Sequence, residues 1–320
     1  MSDNSAGCYV LDSLTTEVDF DEEGYLLANP DVAEAVRSGS LQSGWQHFLN
    51  HGKAEGRRQR RPSLMQEAKL RKRSRIRPLL RSDVPFVEAQ GTVDFLTEEL
   101  RAQFNIVDTD AVSSNGYDRY AIELIEKHRD GLILDCGSGK RDVYFDSVVN
   151  FEIVAYDTTD VRGVGEVLPF RDCSFDAVFS LAVLEHVKDP FQCAKEIARV
   201  LKPGGDLMCC VPFLQPLHGY PHHYYNMSHQ GLINLFVNYL EVEKVECFAS
   251  TLPIWSLAWI LNSWANGLSQ PTRNEFMNMR LSELVDSPER YLGRPFVTEL
   301  SHEKNLELAS ATVLFAHKSL

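Results

Sequence analysis

Residues 132–140, Leu-Ile-Leu-Asp-Cys-Gly-Ser-Gly-Lys, constrain this chain more than any other stretch. An apolar run ends in Asp135, and glycines follow at 137 and 139. A run this short, bounded by glycine, reads as a buried strand with a tight turn at its carboxyl end. There the backbone can approach a ligand with no Cβ in the way. The pattern continues downstream. Strands are expected at 148–152, 160–164, 176–182 and 206–211, with helices at 121–127, 190–201 and 230–238. Two last strands, 241–248 and 311–316, are expected to close the sheet as an antiparallel edge. Strands spaced by helices predict an α/β fold, a doubly wound, mostly parallel sheet of seven strands over residues 116–320. Residues 249–309 read as an insertion or lid. It holds Trp255, Trp259 and Trp264, three of the four tryptophans, and is too short and too polar to span a bilayer.

Glycine would stand at 142 in a dinucleotide fingerprint, and Asp142 stands there, which disfavours a nicotinamide enzyme. The seven cysteines form no CxxC pair, so neither a disulfide frame nor a metal site is expected. Met1 to Gly7 are polar and carry no secretion signal, so the expected location is cytoplasmic. The net charge of -13 conceals a segregation: residues 57–81 hold eleven Lys or Arg and one acid, about +10, which leaves about -23 elsewhere. Nucleic acid is therefore not an expected partner of the acidic body. The basic stretch lies in a connecting region, 62–115, and reads as a solvated linker; peripheral contact with an anionic membrane through 57–81 is the alternative. Ser63 is a candidate cap for a helix reaching Arg77.

Residues 16–61 are compact and aromatic. Asn29-Pro30-Asp31 starts a helix and Ser38-Gly39 stops it, while Trp45, Phe48 and Leu49 fit the inner face of a second helix ending near Gly52. This segment resembles a small helical module found on bacterial surface-glycan enzymes and calcium-binding repeat proteins, which implies docking or spacing rather than chemistry.

Asp135-x-Gly137-x-Gly139 resembles the first motif of class I methyltransferases. With it stand Gly163-Val-Gly-Glu-Val-Leu-Pro-Phe170, Ser174-Phe-Asp-Ala-Val178, Leu181-Ala-Val-Leu-Glu-His-Val187 and Glu196-Ile-Ala-Arg-Val-Leu-Lys-Pro-Gly-Gly205, in the order of the type 11 group. The resemblance implies S-adenosylmethionine as cofactor, with Asp135, Gly137 and Gly139 against its methionine part and Leu181 on its floor. Glu152, ending the second strand, is the candidate ribose ligand, and Asp157 is the alternative. The group's third glycine is Arg141 here. The Asp that meets the adenine amino group is Val164, so adenine is left to Gly165 and Glu166. His186 reads equally as a site residue and as a structural hydrogen-bonder.

Four of the ten histidines fall between 218 and 229. His218, His222 and His223 are the candidate catalytic residues. Tyr220, Tyr224 and Tyr225 accompany them as substrate-facing candidates. A sulfonium methyl is already activated, so the protein aligns donor and acceptor; a hydroxyl acceptor further requires a base, which histidine supplies near neutral pH. The expected function is O-methylation of a saccharide or other hydroxyl acceptor. An inactive binding or scaffold protein with this fold, and a small-molecule or lipid methyltransferase at a membrane, are the alternatives.

Overall fold

The computed structural model describes residues 8–89, 91–107, 116–219 and 222–314. The chain divides into two compact units after residue 210.

Among the described residues the first unit carries eleven strands: β1 (Cys8–Val10), β2 (Asp12–Leu14), β3 (Arg58–Arg60), β4 (Val87–Ala89), β5 (Thr92–Asp94), β6 (Ile133–Cys136), β7 (Val143–Phe145), β8 (Val148–Glu152), β9 (Val161–Arg162), β10 (Phe175–Leu181) and β11 (Leu201–Cys210). Seven of them make one sheet in the order β11-β10-β6-β8-β9-β5-β4. All neighbours are parallel except β4 and β5. This is the doubly wound, mostly parallel, Rossmann-like sheet expected, with a small helical module before it. The central strand β6 is buried at every residue, as a strand covered on both faces must be. The helix Arg119–Lys127 supplies one cover: its Ala121 and Ile125 pack on Ile133, Val148, Ala177 and Phe179. The helix Pro190–Val200 buries Cys193, Ala194, Ile197 and Val200.

Two of the seven strands are not the expected ones. Residues 241–248 form no strand; neither do 311–314, and 315 and 316 lie outside the described residues. The hairpin β4–β5 takes the edge beside β9 instead. Three-residue strands are too short to show the alternation by which a strand is read from sequence. The regular part of β11, 206–210, matches the expected strand. Its first residues run through a register break across Pro203-Gly204-Gly205, where Gly204 has φ +75°.

The connections are unusual. Residues 137–147 join the parallel strands β6 and β8 without a crossover helix and carry β7, which pairs antiparallel with β1. The N-terminal segment is thereby stitched to the sheet. The helix Pro62–Ile76, with Pro62 in its first turn, packs Met65 and Ala68 on Leu11 and Tyr144. Its Lys69 and Lys72 are buried, only 7% and 1% exposed. Lys72 Nζ lies 2.8 Å from Asp160 Oδ2 and donates to the Val148 carbonyl, and it sits 3.4 Å above the Tyr144 ring. Lys69 Nζ donates to the carbonyls of Asp157 and Thr159 at 3.0 and 2.7 Å. The solvated-linker reading of this stretch is therefore corrected. Its pattern of bases without an apolar stripe looked like a solvated surface because two lysines bury their charge on carboxylate and carbonyl oxygens. Other bases of 57–81 pair internally: Arg57 with Asp31 and Glu55, Arg60 with Asp12 and Asp157, Arg61 with Asp19, Arg73 with Glu88, Arg81 with Asp83.

In the module, Asn29 and Pro30 start the helix Pro30–Arg37 and Gly39 (φ +77°) follows its end, as expected. Phe48 is fully buried with Tyr25 and Val32. Leu49 is exposed rather than inward, and the helical turns continue past Gly52 to Glu55, stopping at Gly56 in the left-handed region.

The second unit is helical. The helices Pro253–Asn266 and Gln270–Met277 and the short turn of helix Pro295–Thr298 meet around Ala265, Phe276 and Phe296, with Trp264 stacked on Phe276. The helix His229–Phe236 lies where one was expected. Among the described residues no helix is long and apolar enough to cross a membrane.

Candidate functional site

The carboxyl end of the sheet gathers the acids and glycines singled out in the first unit. β6 delivers Asp135 fully buried, and the chain then turns through Gly137 (φ +84°) and Gly139 (φ +62°), a region that favours glycine. A Cβ on Gly137 would stand 2.5 Å from Val183 Cγ2, so the turn after β10 rests directly on the glycine loop. The loop is held over the next strand by the N–H groups of Gly137 and Ser138, which donate to the Phe151 carbonyl at 2.9 and 3.1 Å.

Glu152 ends β8, as expected. Its carboxylate accepts the Gly139 N–H at 2.7 Å on one oxygen and the Ile153 N–H at 2.8 Å on the other. No lysine or arginine among the described residues pairs with it, and burial raises its pKa against the pull of those N–H donors. Glycine loop and second-strand acid therefore form one hydrogen-bonded unit.

Asp135 is treated differently. Arg141 places Nε and Nη2 at 3.0 and 2.6 Å from Oδ2, and the Tyr117 hydroxyl donates to the same oxygen at 2.5 Å. The guanidinium lies 4.2 Å over the Tyr117 ring. Arg141, standing where the resembling family has a third glycine, is the counter-ion of the buried acid. Asp135 Oδ1 remains buried with no hydrogen-bond partner among the described residues.

Other expected ligands are engaged in structure. Asp157 is held by Arg60. Glu166 accepts the N–H groups of Lys188 and Asp189 at 3.1 and 3.4 Å, at the start of the helix Pro190–Val200, where the free N–H groups and the dipole favour an anion. Gly165 backs onto that helix, since a Cβ there would lie 3.0 Å from Cys193 Sγ. Val164 is buried with Leu96 and Phe104, which explains an apolar residue at that place. Leu181, the last residue of β10, packs on the cluster around Phe179.

Sequence reading passed over Tyr117 and Glu185. Tyr117 carried no signal, since its partner is decided by the fold. Glu185 stood beside His186 in a stretch already singled out, yet its burial could not be read there. It is 0% exposed, and neither carboxylate oxygen has a hydrogen-bond partner among the described residues. His186 Nε2 stands 3.8 Å from Oε1, and burial pushes the Glu185 carboxyl up to about 7. Ala182, three residues earlier, has φ +58°, which strains a residue with a Cβ and is typical of turns held for a purpose.

In the second unit, His223 commits both ring nitrogens to its own loop. Nδ1 lies 3.1 Å from the His218 N and Nε2 lies 2.9 Å from Asn226 Oδ1, while Asn226 donates to the Gln215 carbonyl at 2.8 Å. His218 Nδ1 is 2.8 Å from the Pro216 carbonyl, which fixes the proton there and the lone pair of the neutral ring on Nε2. Burial lowers the His218 pKa. His222 packs its ring on Tyr224, 5.2 Å between centroids. Tyr220 lies outside the described residues.

Residues 136–209 match the family model of a methyltransferase domain. A methyltransferase of Mycobacterium avium is 50% identical over 54 residues, 17% of this chain and 21% of that protein. Cycloartenol-C-24-methyltransferase 1 of rice is 54% identical over 37 residues, 12% of this chain and 11% of that protein. The chain thus spans about a fifth or less of the length of these two relatives. Among solved structures, phosphoethanolamine N-methyltransferase 2 of Haemonchus contortus, in complex with S-adenosyl-L-methionine, aligns with a TM-score of 0.30 at 16% identity, covering 54% of this chain and 49% of that one. The matched residues run from the glycine loop into β11, within the doubly wound sheet.

Proposed function

We propose that this chain transfers a methyl group from S-adenosylmethionine to a hydroxyl of a saccharide or similar acceptor, in the cytoplasm. The observation that carries the cofactor is the hydrogen-bonded unit of Gly139 and Glu152 within a segment that matches a methyltransferase domain. The residues fit the group. Glu152 has oxygen lone pairs left beyond its N–H donors for a ribose diol, the glycine loop presents backbone without Cβ atoms, and Asp135 Oδ1 is a buried acceptor without a partner among the described residues. When bound, the cofactor supplies an activated methyl on a cationic sulfur. Gly137, Gly139 and Leu181 give its bed, and Glu152 orients its sugar.

A hydroxyl acceptor must lose a proton as it is methylated. His218 suits the part of base, because Pro216 fixes its tautomer and its lowered pKa keeps the ring neutral at pH 7. His223 is left to hold the loop. The saccharide rests on the resemblance of residues 16–61 to a module of surface-glycan enzymes, an analogy between folds rather than a feature of the site.

The second reading, a binding protein without activity, draws on Arg141, whose guanidinium already occupies Asp135. Thermal unfolding with and without S-adenosylmethionine separates the two. A cofactor at a hundred times its Kd stabilises by about 2.7 kcal/mol, which for the wild type is a shift of several degrees and for Glu152→Ala is none. No shift in either protein leaves the binding-protein reading. His218→Asn tests the base: turnover about a hundredfold lower supports it, and full turnover rejects it.

A further inference from the structure

The turn after β10 buries a carboxylate with no Lys or Arg paired to it among the described residues and only the His186 ring near it in the first unit. Glu185 has no hydrogen-bond donor on either oxygen among the described residues, no Lys or Arg pairs with it there, and His186 stands beyond hydrogen-bond reach at 3.8 Å. A lone buried carboxylate is costly, because taking it out of water is offset only by a counter-charge or by donors. It persists where a ligand brings what is missing. Two further facts place that ligand. Val183, two residues before Glu185, lies against Gly137, so this turn borders the glycine loop. Ala182 holds the turn in a strained left-handed conformation, its N–H tied to the Cys210 carbonyl at 2.9 Å. The missing partner has a chemical signature: it is a cation, and beside the glycine loop the cofactor offers its sulfonium and its ammonium.

We propose that Glu185 is the counter-charge for the sulfonium of S-adenosylmethionine, so that the site distinguishes the charged cofactor from its neutral thioether product. This rests on the function proposed above. The residue then has two effects. It favours the loaded cofactor over S-adenosylhomocysteine, and it loses its partner when the methyl leaves, which favours product release.

Titration calorimetry on the full chain tests this with the two ligands as probes. They differ by one methyl and one charge and share the ribose, adenine and ammonium groups. In Glu185→Gln the affinity for S-adenosylmethionine falls about tenfold while that for S-adenosylhomocysteine changes less than about twofold. Equal changes for both ligands, or none for either, overturn the proposal, since a carboxylate serving the ammonium or only the fold would not tell them apart. Glu185→Met, neutral and of like length, gives the same comparison should the amide misfold. If the wild type binds neither ligand, the cofactor assignment itself fails and takes this proposal with it.

Discussion

The two ends of the parallel sheet handle buried charge in opposite ways. At the amino end of β8 and β9 two acids lie against bases. Asp160 lies against Lys72, the Tyr144 hydroxyl and the Asn150 N–H, and Asp157, in the connection between those strands, lies against Arg60. At the carboxyl end neither Glu152, which accepts backbone N–H groups, nor Glu185 pairs with a Lys or Arg among the described residues. Asp135 there has the counter-ion Arg141, and Asp94, the last residue of β5, has Arg162. These ion pairs at the amino end fasten the helix Pro62–Ile76 to the sheet. The carboxyl end keeps negative charge uncommitted, as a site for a ligand that carries hydroxyl donors and a positive charge requires.

Breaking the paired end has the largest effect. Lys72→Met leaves Asp160 buried without its cation and costs about 3–5 kcal/mol, read as a fall in the urea midpoint. A loss under about 1 kcal/mol would mean that Tyr144 and Asn150 suffice. Arg141→Met does the same to Asp135, with the Tyr117 hydroxyl left as a donor, at about 3 kcal/mol.

Glu185 sharpens the contrast because the sign reverses. Its folded pKa of about 7 lies above the ordinary 4.5, so the native state holds the proton more tightly and stability drains away as pH rises through that window. Glu185→Gln removes the penalty. It stabilises the protein by up to about 3 kcal/mol at pH 8 and by nothing at pH 4, measured by unfolding at both. A destabilised variant at pH 8 would show that the carboxylate is paired after all. The smallest effect belongs to Glu166, an acid of the carboxyl end already engaged at a helix start. Glu166→Gln costs about 1 kcal/mol and leaves cofactor affinity unchanged. A loss of affinity would restore it as an adenine ligand.

Much of this was legible in the chain. The strands expected at 132–135, 148–152 and 176–182 and the helix from Pro190 follow from apolar runs bounded by turn residues, and the structure places them within one residue of those bounds. The edge was not legible, because β4 and β5 have three residues each and residues 241–248 have the composition of a strand without a partner to pair with. The basic stretch misled for a related reason. Composition counts charges but not what they face, and Lys69 and Lys72 face carbonyls and a carboxylate far along the sequence. Arg141 read as a departure until its neighbour was known. The burial of Glu185 away from any Lys or Arg among the described residues left no trace in the sequence, since it is visible only in three dimensions.

If the uncommitted acids at the carboxyl end receive S-adenosylmethionine, titration of the cofactor into the wild type and into Glu152→Gln shows it most directly. The expected result is micromolar binding by the wild type and at least a tenfold loss in the variant, at unchanged fold. Equal affinities, or no binding by a folded wild type, would contradict it.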